Sequence, residues 1–392
     1  MQSLKYHPSH RMQSVQAPII PIVGDLIRKT PGTISLGQGV VYYGPPAAVM
    51  EKLQTFGQSI ENHKYGPVEG IPELLSAFKT KLKTENNIDT GNGSRIIVTA
   101  GANMAFLNAL LATTDPGDEI ILQVPCYFNH EMAVCMVNCK AVLVSTDHNY
   151  QLCPDRIKAC INERTRAIVT VSPNNPSGAV YPHSVLREIN DICKQHGIYH
   201  ISDEAYEYFT YNDASHFSSG SIAGANEHTI SLFSLSKAYG FASWRIGYMV
   251  VPEHLAMSIM KAQDANLICP ALASQHAALG ALDAGKDYCR EKLSVIKAVR
   301  NRMLEELQSI SSFCTTPVTD GAFYFLIKID TDISSMELTK RLICEHRVAV
   351  IPGDTFGLQQ ACYLRVAYGA LEQKPALEGI QRLTHGISAI VN

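Results

Sequence analysis

The chain has 392 residues, of which 46% are hydrophobic and 18% are charged, and its formal net charge at pH 7 is -3. A chain of this length buries a sizeable core and exceeds one ordinary domain, so we expect two domains. Acidic and basic residues are mixed along the sequence, which argues against a basic face for nucleic acid or for a membrane surface.

The cysteines and the apolar runs narrow the class further. The eleven cysteines include no C-x-x-C pair and no zinc-like cluster, so we expect buried free thiols and no metal site. Cys126 is expected to fill space rather than to act as a nucleophile. Neither a signal-peptide pattern nor an apolar run of bilayer length occurs, which predicts a cytoplasmic protein.

Strand and helix patterns alternate from about residue 95 to residue 251. This alternation predicts an α/β fold with a doubly wound, mostly parallel sheet. Within it, buried-strand patterns cover residues 119–124, 167–172 and 197–202. Because the carboxyl ends of parallel strands meet at one edge of a sheet, we expect the residues that follow these strands to gather there.

The first predicted strand, residues 95–99, is followed by a glycine turn and by a predicted helix over residues 104–112. The amides of Gly101, Ala102 and Asn103 are therefore expected at a helix N-terminus. There, unpaired N–H groups and the helix dipole favour an anion. The small side chains in this turn allow a phosphate to approach the backbone closely.

Four polar or aromatic residues follow the next predicted strands: Tyr127, Asn175, Asp203 and Tyr206. The Pro that follows Asn175 favours an extended conformation there. Taken singly, residues 173–178 are an ordinary turn and Asp203 an ordinary helix cap. Their shared place at one sheet edge favours a common site instead.

A short segment further along the chain combines one amine, two hydroxyls and one guanidinium, from Lys237, Ser234, Ser236 and Arg245. A lysine desolvated by apolar neighbours loses its proton and can form a Schiff base, while the other three side chains donate hydrogen bonds to a phosphate. Pyridoxal 5′-phosphate (PLP) carries both an aldehyde and a phosphate. Alone, Lys237 is better explained as a surface lysine and Arg245 as a salt-bridge residue. The upstream residues favour the cofactor site.

The residues at the sheet edge suit the ring of such a cofactor. Asp203 is placed to keep the pyridine nitrogen protonated, which makes the ring an electron sink. Tyr206 and Asn175 are placed to hydrogen-bond the 3′-oxygen, and Tyr127 to cover one face of the ring. We therefore assign catalytic roles to Lys237, Asp203 and Tyr206.

Two more polar residues lie in apolar surroundings. Arg365 sits in an apolar strand, where a bidentate pair with a substrate carboxylate explains an otherwise costly guanidinium. His130, one turn beyond Tyr127, either supports Asp203 from behind or lies on a helix surface.

Together these residues resemble the class I/II aminotransferases of the fold-type I PLP-dependent enzymes, along essentially the whole chain. The resemblance implies a large PLP-binding domain over residues 46–286 and a smaller α/β domain formed by residues 1–45 and 287–392. It also implies a homodimer with shared active sites, in which Tyr65 reaches the phosphate of the partner's cofactor. The implied reaction is a ping-pong transfer of an amino group between an amino acid and a 2-oxo acid.

Several motifs carry this resemblance. Leu36-Gly-Gln-Gly39 resembles the turn at which the backbone approaches the substrate carboxylate, and Tyr363-Leu-Arg365 the strand with the carboxylate-binding arginine. Residues 99–105 resemble the phosphate loop. Two positions depart from the family pattern: Tyr127 stands where Trp or Phe is frequent, and Ser243 where Gly is frequent.

The substrate is suggested by a missing residue. Aspartate-specialised relatives use a second arginine of the partner subunit, from the segment after the cofactor lysine, for the side-chain carboxylate. Between Arg245 and Arg290 this chain has no arginine, and Gly39 is followed by Val40-Val-Tyr42-Tyr43. Residues 38–41, 100–103, 125–129 and 206–209 also resemble plant aromatic/methionine aminotransferases. We therefore expect hydrophobic or aromatic amino acids, or methionine, as donors.

Three alternatives stay open at this point. An aspartate-type aminotransferase would need another cation, such as Arg28. A carbon-sulfur β-lyase could share every residue named, because fold does not fix reaction. A non-catalytic regulator that holds a PLP-like ligand is disfavoured by the intact Lys237 and by the lack of a helix-turn-helix pattern.

Overall fold

A computed structural model describes residues 6–91 and 93–391. Its strands are β1 (Ile34–Ser35), β2 (Ser94–Thr99), β3 (Glu119–Val124), β4 (Lys140–Ser145), β5 (Thr165–Val171), β6 (Tyr199–Asp203), β7 (Thr229–Ser234), β8 (Gly247–Pro252), β9 (Cys314–Thr315), β10 (Tyr324–Ile329), β11 (Val348–Ala349), β12 (Ile351–Pro352) and β13 (Cys362–Ala367).

The helices connect and cover these strands. The α-helices are α1 (His10–Ser14), α2 (Ile19–Lys29), α3 (Ala47–Phe56), α4 (Pro72–Glu85), α5 (Ala102–Thr113), α6 (Phe128–Met136), α7 (Pro154–Ala159), α8 (His183–His196), α9 (Leu235–Ala238), α10 (Glu253–Leu267), α11 (Leu272–Leu307), α12 (Ser335–His346) and α13 (Gln373–Val391). Short 3₁₀ helices cover Ile60–His63, Ser219–Ser221, Ala225–Glu227, Ala242–Trp244, Gln308–Ile310 and Gly353–Phe356.

The largest sheet has seven strands in the order β2-β8-β7-β6-β5-β3-β4. Strands β4, β3, β5, β6 and β7 pair in parallel, and β8 alone runs antiparallel to its two neighbours. Side chains alternate between two apolar cores: Ile120 and Leu122 of β3 face helices α5 and α10, whereas Ile121 faces helices α7 and α8. Helices therefore cover both faces, and the predicted α/β class with a mostly parallel sheet is confirmed.

The predicted boundaries are shifted by one to two residues. The strand expected over residues 197–202 is β6, so Asp203 is the last residue of the strand rather than the first one after it. The helix expected from residue 104 begins at Ala102, because Gly101 is its N-cap, with φ 81°. Both shifts leave the predicted residues at the carboxyl edge of the sheet.

A smaller, four-stranded sheet has the order β12-β13-β10-β9. The N-terminal segment joins this part of the fold, since β1 pairs in parallel with β11. Helix α11 runs through the predicted domain limit at residue 286 and has non-helical backbone angles at Gly285. The division into domains at that limit stays a prediction.

The cysteines are free, as expected, but they are not uniformly buried. Cys126 and four others are buried, whereas Cys344 is exposed. Cys344 lies on the last turn of the amphipathic helix α12, where only one side of the helix packs on the core. Within the described ranges, no helix has the length and apolar character needed to cross a membrane.

Candidate active site

A cavity of about 480 Å³ lies between the carboxyl edge of the seven-stranded sheet and the four-stranded sheet. Most of the residues predicted from the sequence line it: Gly39, Ala102, Asn103, Tyr127, Asn175, Asp203, Tyr206, Ser234, Ser236, Lys237, Arg245 and Arg365. The strand endings bring these residues together, because β3, β5, β6 and β7 all point their carboxyl ends towards this cavity.

Lys237 follows β7, on the short helix α9. Its amine donates a hydrogen bond to the carbonyl oxygen of Gly39. Removal of the amine from bulk water lowers the pKa of Lys237 to about 8, and the nearby charges of Arg365 and Arg245 act in the same direction. A substantial neutral fraction near neutral pH suits this amine for nucleophilic attack and for proton transfer.

Asp203 is fixed from two sides. Its Oδ2 atom lies 3.1 Å from Nε2 of His130, and its Oδ1 atom accepts a hydrogen bond from the amide of Ala205 at 3.1 Å. The His130 ring is stacked on Phe106, with ring centroids 4.0 Å apart. His130 is therefore buried behind Asp203 and does not lie on a helix surface.

A second group of side chains joins Tyr206 to Arg365. The Nη1 atom of Arg365 donates to Oδ1 of Asn175 at 2.9 Å, and Nδ2 of Asn175 donates to the Tyr206 hydroxyl at 3.4 Å. The Nη2 atom of Arg365 donates to the carbonyl oxygen of Gly37 at 2.7 Å, whereas its buried Nε has no hydrogen-bond partner among the described residues. The unpaired N–H group at Nε of Arg365 could donate a hydrogen bond to a carboxylate.

Ser234, Ser236 and Arg245 converge on the N-terminus of α5. Ser234 caps α9, since its Oγ accepts a hydrogen bond from the amide of Ser236 at 3.1 Å. Arg245 contacts the Ser236 hydroxyl at 3.4 Å and donates to the carbonyl oxygen of Ala100 at 3.3 Å. At Gly101, an added Cβ would lie 2.5 Å from Nη2 of Arg245. The glycine turn thus lets the guanidinium pack against the backbone.

Tyr127 is the N-cap residue of α6. Its hydroxyl donates to Oδ1 of Asn103 at 3.3 Å and accepts from Nδ2 of Asn129 at 2.8 Å. The hydroxyl explains how tyrosine fits where Trp or Phe is frequent, because both of its hydrogen-bond partners line the same cavity. These bonds hold the ring in one orientation.

The residues that follow Gly39 lie only partly at the cavity wall. Val40 lines the cavity, whereas Val41, Tyr42 and Tyr43 do not. The backbone bond from Tyr42 to Gly369 turns the chain away from the cavity, and the hydroxyl of Tyr43 instead contacts the carbonyl oxygen of Lys237 at 3.1 Å. The aromatic lining comes from other residues: Tyr127, Phe128, Tyr206 and Tyr324.

Sequence reasoning also missed the N-terminal segment and Tyr324. The cavity is also lined by Pro18, Ile20 and Pro21, at the start of α2. In the sequence, these residues are far from Lys237 and from most of the other residues that line the cavity. The apolar Pro-Ile-Ile-Pro run at an otherwise exposed chain segment was the only available signal. Tyr65, by contrast, is 80% exposed and lies outside the cavity.

Comparisons with known proteins support the fold and the chemical class. Residues 31–383 match the family described as aminotransferase class I and II. An aromatic aminotransferase from Arabidopsis thaliana is 32% identical over 98% of this chain and 97% of its own length. An aspartate aminotransferase from Pyrococcus abyssi is also 32% identical, over 93% and 95%. The structure of a double mutant of Thermus thermophilus aspartate aminotransferase superposes with a TM-score of 0.89, at 29% identity, over 97% of this chain and all of that one. This overlap confirms the predicted fold type I.

Proposed function

The chain belongs to the class I and II aminotransferases, and we propose that it is a PLP-dependent enzyme for amino acids with hydrophobic or aromatic side chains, or methionine. In two half-reactions, the amino group moves from the amino acid to the enzyme and then to a 2-oxo acid. The proposed preference for neutral side chains rests on the charges of the residues that line the cavity. The relatives do not decide it, because they are named for aromatic and for aspartate substrates alike.

The donor set of the cavity fits PLP. Ser234, Ser236, Arg245 and the first amides of α5 form a phosphate site at a helix N-terminus. The carboxylate of Asp203 would bind the protonated pyridine nitrogen. Tyr206 and Asn175 would hydrogen-bond the 3′-oxygen, and Tyr127 would cover one face of the ring. When bound, PLP supplies an aldehyde and a conjugated ring that accepts electrons from the bond broken at the substrate α-carbon.

The protein's own groups then bind the substrate and move the proton. The Arg365 guanidinium binds the α-carboxylate, and its bonds to Asn175 and Gly37 fix the plane of that pairing. The Lys237 amine takes the proton from the substrate α-carbon and would donate it to the aldehyde carbon (C4′) of the cofactor. Its lowered pKa, about 8, leaves a larger fraction of the amine neutral at pH 7 than in an ordinary lysine, and the neutral amine can act as a base.

The cavity wall favours a neutral side chain. Among the described residues that line it, the cations are Lys237, Arg245 and Arg365, and each has a partner in the proposed reaction. The wall near the N-terminal segment is apolar, with Ile20 and Val40. A second carboxylate buried there without a partner costs several kcal/mol, so discrimination of roughly a hundredfold is expected.

Half-reaction rates test this proposal with an isosteric pair. Asparagine and aspartate differ in charge at nearly constant shape, and phenylalanine and methionine test the apolar wall. We expect phenylalanine or methionine to give the highest kcat/KM and asparagine to exceed aspartate. A faster reaction with aspartate would overturn the substrate proposal and leave the aminotransferase class intact.

The lyase alternative has its own readout. A carbon-sulfur β-lyase releases pyruvate and ammonia from cystathionine without an acceptor, whereas an aminotransferase turns over only when a 2-oxo acid is present. We expect turnover to depend on the acceptor. We also propose that the enzyme is a homodimer, for which the family and the exposed Tyr65 are the support, and that it acts in the cytoplasm.

A further inference from the structure

Tyr324 connects the two sheets across the cavity. It is the first residue of β10, 118 residues along the chain from Tyr206, yet the two phenolic oxygens lie 2.8 Å apart. The two rings meet edge to face, with centroids 5.7 Å apart, and both side chains are buried. Tyr324 therefore touches a residue of the cofactor site from the opposite side of the cavity.

The ring of Tyr324 also covers Arg365. The guanidinium carbon lies 4.5 Å from the Tyr324 ring centroid and 5.2 Å from that of Phe356. In the β10–β13 pair, Arg365 is opposite Leu326, so Tyr324 is its diagonal neighbour on the same face. A guanidinium in contact with two aromatic rings gains cation–π attraction, which restricts its orientation.

Tyr206, Asn175, Arg365 and Tyr324 thus form a closed loop of contacts. Because Oδ1 of Asn175 accepts from Arg365, its Nδ2 faces the Tyr206 hydroxyl. A hydroxyl has one proton and two lone pairs. If Tyr206 donates its proton to the 3′-oxygen of PLP, the Tyr324 hydroxyl must be the donor in the 2.8 Å bond.

We propose that Tyr324 is a positioning residue that acts through two separate parts of its side chain. Its hydroxyl donates to Tyr206 and strengthens the hydrogen bond that Tyr206 donates to the 3′-oxygen. Its ring holds the guanidinium of Arg365 in the plane that pairs with the substrate carboxylate. The inference rests on the proposed function. Gly39 is part of the same arrangement, because a Cβ there would lie 2.7 Å from the Tyr324 hydroxyl.

Two variants of the PLP-loaded enzyme separate the two parts. Tyr324→Phe removes the hydroxyl and keeps the ring, whereas Tyr324→Leu removes both. The matched control is Tyr150→Phe, which also removes a phenolic hydrogen bond at β10, to the carbonyl oxygen of Leu326 at 3.1 Å, but outside the cavity. Should Tyr324→Leu not fold, Tyr324→Met fills the space and takes its place.

The first readout is the pH at which the visible absorbance of the bound cofactor changes. A weaker donor from Tyr206 stabilises the deprotonated, more negative form less, so the midpoint should rise in Tyr324→Phe. We expect a rise of about half a pH unit. The midpoint of Tyr150→Phe should equal that of the wild type.

The second readout is the Kd of 3-phenylpropionate, a carboxylate without an amino group that cannot react. Tyr324→Phe should change it by less than about twofold, and Tyr324→Leu should weaken binding about fivefold or more. Equal midpoints in Tyr324→Phe and the wild type overturn the hydroxyl role, and an unchanged Kd in Tyr324→Leu overturns the ring role. If the wild type shows no cofactor absorbance at all, the proposed function itself is wrong and this inference falls with it.

Discussion

The Nε2 atom of His130 lies 3.1 Å from the Oδ2 atom of Asp203, at the end of the strand that carries the predicted pyridine partner. The pair is almost fully buried, and the Ala205 amide bonds the other carboxylate oxygen. A carboxylate held in this way needs no reorganisation when it interacts with a cation, and such preorganised groups contribute strongly to catalysis.

Asp203→Asn is expected to retain measurable PLP binding but to slow removal of the α-proton by about a hundredfold to a thousandfold, because the ring loses its electrostatic partner. Single-turnover absorbance measurements with phenylalanine give this rate. His130→Phe keeps the stacking on Phe106 and should lose about tenfold or less. Wild-type rates in Asp203→Asn would refute the assigned role.

The pKa of Lys237 predicts how PLP enters the apoenzyme. Only the neutral amine attacks an aldehyde, and desolvation with the nearby Arg365 and Arg245 lowers the pKa from 10.5 to about 8. The rate of PLP incorporation should therefore rise about tenfold per pH unit below that value and level off above it. Rapid-mixing absorbance over a pH series measures the rate of PLP incorporation. The control is Nα-acetyl-lysine, whose free side-chain amine has an unperturbed pKa. A midpoint near 10.5 would contradict the role of desolvation.

Gly101→Ala should weaken PLP binding because the new Cβ would lie 2.5 Å from Nη2 of Arg245 and displace the guanidinium from the phosphate site. Gly117→Ala is the matched control. Gly117 also has a positive φ, of 94°, but no atom of the described residues lies within 4 Å of an added Cβ. Both variants therefore bear backbone strain of about 1 kcal/mol or more.

The Kd of PLP, measured by fluorescence quenching, should increase about tenfold or more in Gly101→Ala only, in line with the loss of one charge-assisted phosphate contact. Thermal unfolding shows whether the two variants lose similar stability. Equal Kd values would mean that the turn does not position Arg245.

The proposed dimer predicts complementation between two defective chains. Tyr65 is 80% exposed and lies outside its own chain's cavity, so a role at the phosphate requires the partner subunit. Tyr65→Phe should bind PLP more weakly, and Lys237→Ala should be inactive. After random exchange of subunits, the mixture should recover up to about a quarter of wild-type activity, because half of the dimers contain one intact site.

Sedimentation at assay concentration accompanies this experiment. A monomer with full activity would exclude the shared site, and a dimer in which Tyr65→Phe binds PLP normally would exclude the role of Tyr65 alone. Tyr6→Phe is a control, since that residue is fully exposed and has no proposed role.

The mostly parallel sheet and most of the residues at its carboxyl edge could be predicted from the sequence. Each was recognisable from local patterns: a buried strand that ends at Asp203, a glycine turn before α5, and a lysine between hydroxyl groups that follow β7. Such patterns are short-range, because strand periodicity and helix starts depend on neighbouring residues. The family resemblance added Gly39 and supported the role of Arg365, and both residues line the cavity.

The distant segments that complete the site could be identified only in the folded chain. Tyr324 meets Tyr206 across 118 residues of chain, and Ile20 reaches the cavity from the N-terminal helix α2. The same packing turns Tyr42 away from the cavity, although it is only three residues from Gly39. These placements depend on how the two sheets and α2 pack against one another, and no local periodicity encodes that packing.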